Sequence, residues 1–120
     1  MQYPLDAVES PTVGWVGLSD ITPKGNGIVY ILERDNQGGL GARIKTVYFV
    51  ILFDYEGRNE VVEKTLVVDL LQGLTEATQG LVPEKVEGLA ATDKGLFLSN
   101  DNDGVDDNNG ASYLWNLGDL

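Results

Sequence analysis

The residues most able to do chemistry lie near the C-terminal end of the sequence. Asn100, Asp101, Asn102, Asp103, Gly104, Val105, Asp106, Asp107, Asn108, Asn109 and Gly110 follow one another, and eight of these eleven side chains are Asp or Asn. Asp101, Asp103, Asp106 and Asp107 put four carboxylates within seven residues, and they repel unless a cation or water screens them. Calcium takes about six to eight oxygen ligands, which such a loop can supply, and Gly104 permits a tight wrap. The spacing is not that of an EF-hand. Asp, Asn and Gly are also common turn residues, so a solvated turn is the alternative.

Five further residues could carry chemistry. Glu33, Arg34 and Asp35 end an apolar run, and Arg43 follows the Gly-rich stretch Gln37-Gly38-Gly39-Leu40-Gly41. Two arginines at one strand exit could clamp a phosphate or carboxylate through bidentate hydrogen bonds. They could equally form ion pairs with Glu33 and Asp35. The Gly-rich stretch lacks the Lys-Ser/Thr ending of a phosphate-binding P-loop. Glu87, between Val86 and Gly88, sits on an exposed strand face or is aimed inward.

Composition narrows the classes. Eight basic and 19 acidic residues give a net charge of −11, which argues against a nucleic-acid partner and an anionic membrane surface. Residues 1–60 carry a net −3 (five bases, eight acids) and residues 61–120 a net −8 (three bases, eleven acids), so the C-terminal half attracts cations. Without His or Cys there is no Ser-His-Asp triad, thiol nucleophile, disulfide or His-ligated zinc within the sequence. The apolar run at 47–53 is seven residues, too short for a membrane span. Residues 1–6 have neither a basic stretch nor an apolar run, so no signal peptide is expected.

The elements that must position these residues read as β. Residues 28–32, entered through Gly25-Asn26-Gly27, form a β-branched and aromatic run. Residues 44–53 and 61–71 flank a turn at Glu56-Gly57 and predict an antiparallel hairpin. Residues 69–74 fit a strand end or one helical turn. Residues 86–91, 96–99 and 113–117 predict three more short strands. No sustained 3.6-residue period is present, so the expected class is all-β, with antiparallel sheets.

A weak internal repeat adds to this. Val16-Gly17-Leu18, Thr22-Pro23-Lys24-Gly25, the run at 27–32 and Glu33-Arg34-Asp35-Asn36 are matched by Val86-Glu87-Gly88-Leu89, Thr92-Asp93-Lys94-Gly95, 96–99 and Asn100-Asp101-Asn102-Asp103, with Gly17 and Gly88 71 residues apart. Each copy reads as strand, tight turn, strand and polar exit, which implies stacked β units. Two units cannot close a propeller. The sequence is therefore part of a longer protein, an open β-sandwich, or a chain whose copies associate through open sheet edges.

Glu33-Arg34-Asp35, the Gly-rich stretch, Ala42-Arg43-Ile44, Val86-Glu87-Gly88-Leu89-Ala90 and Ser99-Asn100-Asp101-Asn102-Asp103-Gly104 together resemble the C-terminal part of the phytase-like proteins, the family of esterase-like activity of phytase. The resemblance runs from about Gly14 to Leu117. It implies a β-propeller of which residues 1–120 are a single β portion, exported from bacteria to the periplasm or cell exterior. It implies calcium-dependent hydrolysis of phosphate or carboxylic esters. Glu87, Asn100, Asp101, Asp103 and Asp106 would then lie around the metal, and Glu33, Arg34 and Arg43 would line the same mouth as catalytic residues, with Glu33 and Glu87 the candidate bases. A non-catalytic calcium-binding β-module for adhesion or protein interaction is the second expectation. A small β-sandwich that binds a partner through an edge strand is the third.

Overall fold

The structure is a computed structural model in which residues 1–9, 14–102 and 111–120 are described. The chain is mostly β, in two antiparallel sheets. The first is a four-stranded meander of β1 (Val16–Gly25), β2 (Ile28–Asp35), β3 (Lys45–Ile51) and β4 (Thr65–Asp69). The second contains β5 (Val86–Thr92), β6 (Gly95–Asn100) and β7 (Leu114–Asn116), and one short helix, α1 (Leu71–Ala77), links the sheets.

Local sequence accounts for the hairpins. Asn26 and Gly27 both have positive φ (54° and 73°), the backbone that a tight two-residue hairpin turn demands. β1 therefore continues through Pro23 and turns at Asn26-Gly27, later than Thr22-Pro23-Lys24-Gly25 suggests. Pro23, which lacks an N–H, is tolerated because β1 is an edge strand. β5 and β6 turn at Asp93-Lys94, where the Thr92 hydroxyl accepts from the Lys94 N–H (3.0 Å) and donates to the Gly95 carbonyl (2.9 Å). The expected pairing of 44–53 with 61–71 is present, but its second strand is confined to Thr65–Asp69. The 69–74 segment resolves as the start of α1, with the Asp69 carboxylate accepting from the Leu71 N–H.

β2 is buried on both faces, which is why its apolar run does not alternate. Tyr30 and Leu32 face a core shared with Val47, with Leu70, Leu74 and Val82 around α1, and with Val86, Leu89, Leu96 and Leu98 of the second sheet. Val29 and Ile31 face the other way, onto Val50 and Val62, closed over by Tyr3, Leu52 and Tyr55. The N-terminal segment is tied across that outer face by hydrogen bonds from Gln2 N to Glu60 O and from Val62 N to Gln2 O, both 2.8 Å.

The two sheets meet along β1 and β5. The Asp20 carboxylate accepts from the Leu89 N–H (2.7 Å), and the Thr22 hydroxyl accepts from the Ala91 N–H (3.1 Å). Both links join residues 69 apart, so the strands run in the same direction. The two sheets are thus like units placed side by side, and their ladders set the functional geography. Val16 pairs with Asp35, Arg34 with Lys45, Thr46 with Asp69, Val86 with Asn100 and Ser99 with Leu114. The ends of β2, β4 and β6 and the beginnings of β1, β3, β5 and β7 therefore gather at one end of the fold.

Candidate functional site

That shared end holds every described residue singled out from the sequence: Glu33, Arg34, Arg43, Glu87, Asn100 and Asp101. Asp103 and Asp106 lie outside the described residues.

Successive residues of a strand point to opposite faces, and the three charges ending β2 find separate surroundings. Arg34 turns toward the second sheet. One of its terminal nitrogens is hydrogen-bonded to the Glu87 carboxylate, and the other lies 3.9 Å from Glu84. Its Nε donates to the Ser19 hydroxyl at 3.0 Å, and its guanidinium centre stands 5.1 Å from the centroid of the Trp15 ring. Glu87 is therefore aimed at a buried partner on the neighbouring sheet while part of its side chain remains accessible.

Glu33 occupies the outer face and is fully buried (0% exposed). One carboxylate oxygen accepts from the Tyr3 hydroxyl (2.9 Å) and from Lys64 Nζ (2.8 Å), and the other accepts from the Asp6 backbone N–H. Lys64 also donates to the Asp6 carboxylate (2.7 Å) and lies over the rings of Tyr3 and Tyr48, while the Tyr48 hydroxyl donates to Asp6 (2.6 Å). Burial raises the Tyr3 and Tyr48 hydroxyls well above the usual tyrosine range, and the adjacent carboxylates push the same way. For Asp6, burial acts to raise the pKa, but hydrogen bonds from Lys64 and Tyr48 and the charge of Lys64 outweigh it and hold the carboxyl below its ordinary 3.8. This cluster fastens the N-terminal segment to the sheet.

Asp35 is buried against Lys45, with 2.6 Å between its carboxylate and Nζ. Lys45 Nζ also donates to the carbonyls of Asp35 (3.0 Å) and Gln37 (2.8 Å), so its three protons are all used. Burial drives the Lys45 pKa down, and Asp35 opposes that shift. The second Asp35 oxygen accepts from the Arg43 and Ile44 backbone N–H groups (2.7 and 3.0 Å), which closes the Gly-rich loop. The Arg43 side chain is exposed, and its guanidinium donates to the carbonyls of Leu40 (2.7 Å) and Ala42 (2.9 Å). The two arginines thus share an end of the fold but have different partners: Arg34 is held between the sheets and Arg43 at the rim of its own loop.

At the exit of β6, the Asn100 amide donates to the Ala111 carbonyl (2.9 Å) and accepts from the Tyr113 N–H (2.7 Å), clasping the two ends of the acidic segment. Asp101 is exposed, and its N–H donates to the Lys85 carbonyl (2.7 Å). Among the described residues, no group of three or more His, Cys, Asp or Glu is placed to hold a metal ion.

Sequence reasoning missed Trp15, Ser19 and Glu84 around Arg34, and Tyr3, Asp6, Tyr48 and Lys64 around Glu33. A usable signal existed for Lys45 and Lys64, since a lone lysine inside a β-rich run calls for a buried or local partner. None existed for Tyr3 and Asp6, which reach Glu33 across 27 or more residues.

No curated protein and no solved structure matches the chain. The family model for esterase-like activity of phytase matches residues 1–104, and by that match the chain belongs to the phytase-like family.

Proposed function

We propose that the chain is the C-terminal part of a phytase-like β-propeller that hydrolyses phosphate or carboxylic esters at the shared end of its sheets. Membership of the family over residues 1–104 carries this reading. The parallel placement of β1 and β5 supports it, because propeller blades repeat radially around a channel and bring equivalent strand ends to one mouth. Within it, Arg43 presents a guanidinium already oriented by two carbonyls at an exposed rim, suited to an ester's anionic oxygens. Arg34 and Glu87 form a fixed charge pair at the same end of the fold, with Glu87 partly accessible. Glu33 acts through Lys64, holding the N-terminal segment in place.

Calcium belongs to this proposal as a ligand of the acidic segment, with Asp101, Asp103 and Asp106 as oxygen donors. The described residues alone do not make its shell, because Glu87 is bound to Arg34 and Asn100 to its loop's backbone. No reaction step is assigned to the ion. An extracellular or periplasmic location, a small-molecule ester partner and self-association through the free edges of β4 and β7 complete the reading.

The test is hydrolysis of p-nitrophenyl phosphate and p-nitrophenyl acetate, in calcium and in chelator. Arg43→Ala is expected to lower kcat/KM for the phosphate ester about tenfold or more, the effect of losing a hydrogen bond to a charged group. Calcium at about 100 times its dissociation constant adds about 2.7 kcal/mol, which raises Tm by about ten degrees in a domain of this size. Absence of turnover for both esters under both conditions overturns the hydrolase reading. A calcium-dependent Tm shift without turnover favours a non-catalytic calcium-binding module, which the saturation of Arg34, Glu33 and Asn100 by internal partners also fits.

A further inference from the structure

Trp15 is a large aromatic side chain beside the charge pair of the shared end, and it is half-exposed (51%). Its backbone is fixed by a reciprocal pair of bonds: Trp15 N–H to the Asn36 side-chain oxygen (2.9 Å), and Asn36 N–H to the Trp15 carbonyl (3.1 Å). Its ring lies along β1 over Gly17, where a Cβ would come within 3.0 Å of the indole Cζ3. The Arg34 guanidinium, itself anchored by Glu87 and Ser19, stands 5.1 Å from the ring centroid. Backbone, glycine and cation together hold an indole in one place at the mouth.

The polar groups nearest this ring each carry an internal hydrogen bond. The Asn36 side-chain oxygen serves Trp15 and Gln37, the Ser19 hydroxyl accepts from Arg34, and Glu87 is bound to Arg34. What the ring offers is open aromatic area next to an anchored positive charge, and flat rings stack on such area in offset geometry.

We propose that Trp15 is a specificity-determining residue that stacks a planar aromatic group of the ester, so that the site prefers aryl over alkyl esters. This deepens the hydrolase reading and rests on it for the identity of the ligand. An aromatic pair contributes a preference of about fivefold in binding.

The experiment titrates the protein with phenylphosphonate, methylphosphonate and phenol, following the Trp15 indole N–H resonance, which is assigned by its loss in Trp15→Leu. Phenylphosphonate and phenol are expected to shift this resonance at about millimolar concentration, the affinity range of such small ligands. Phenylphosphonate is expected to bind about fivefold tighter than methylphosphonate, with the ratio falling to about one in Trp15→Leu and largely retained in Trp15→Phe. The inference is overturned if both aryl probes leave the resonance unmoved at about 10 mM, or if Trp15→Leu keeps the aryl preference. An aryl-dependent shift without ester turnover counts against the hydrolase reading alone, because the stacking platform is read without catalysis.

Discussion

The Asp35–Lys45 pair is where one substitution should cost most. Both side chains are almost wholly out of solvent, and the Asp35 carboxylate accepts from Lys45 Nζ, Arg43 N and Ile44 N. Asp35→Ala leaves an ammonium with only two carbonyl partners in the interior and strands two backbone N–H groups. Breaking a buried pair from one side costs about 3–5 kcal/mol, a large share of the roughly 5–15 kcal/mol that holds a domain folded. Lys45→Met is expected to cost less, because the carboxylate it leaves behind keeps both backbone N–H donors. The double variant removes both charges, takes the Asp35 acceptor from the two N–H groups and the Lys45 donor from the Asp35 and Gln37 carbonyls, and costs about 1–3 kcal/mol for each group that finds no other partner. It should therefore be more stable than Asp35→Ala alone, with a coupling energy of about 2 kcal/mol in a double-mutant cycle. Equilibrium urea unfolding of the four proteins supplies these numbers. The reasoning is refuted if Asp35→Ala stays within about 1 kcal/mol of wild type, or if the double variant loses the sum of the two single losses.

Asp6 gives a pH dependence. Its carboxyl is held below 3.8 in the folded state, so its stabilising contribution is complete above the unfolded value and lost as pH falls through the folded one. The stability difference between wild type and Asp6→Asn should be constant above about pH 5 and shrink toward about pH 2 in denaturant titrations. Gly95 has φ +123°, and a Cβ there would lie 2.6 Å from the Asn116 Oδ1 and 2.8 Å from the Gly118 carbonyl. Gly95→Ala should cost about 2 kcal/mol or more by thermal melting, against about 1 kcal/mol for Gly57→Ala, where φ is also positive but no atom lies within 4 Å. Asp20→Ala removes the acceptor for the Leu89 N–H, and amide exchange at Leu89 should quicken about tenfold.

The strands were legible because their signals are local: the Asn26-Gly27 turn, the β-branched runs, and the matched hairpins that anticipated two like units. The short helix could not be separated from a strand end, because Leu70 and Leu74 are too few to establish a period and tertiary burial decides it. Antiparallel pairing alone does not gather the candidate residues at one end, because β2 and β6 lie in different sheets; their exits come together because β1 and β5 run side by side in the same direction.

The partners were not legible, and the reason lies in the period of a strand. Glu33, Arg34 and Asp35 look like one charged cluster in sequence, ready to pair among themselves or with Arg43. A strand separates Arg34 from both neighbours: Arg34 goes to Glu87 between the sheets, while Glu33 goes to Lys64 on the outer face and Asp35, at the strand end, goes to Lys45. Arg43 precedes β3, outside the ladder that pairs Arg34 with Lys45, so its side chain turns to its own loop. The one long-range pairing with a trace in the sequence is Arg34 with Glu87. Gly17 is the cross-strand partner of Arg34, and its repeat counterpart Gly88 directly follows Glu87. Once β1 and β5 lie side by side, the two copies of the repeat bring the arginine of one to the carboxylate of the other. The weak repeat thus held more information about the site than any single motif, because it fixed which strands become neighbours.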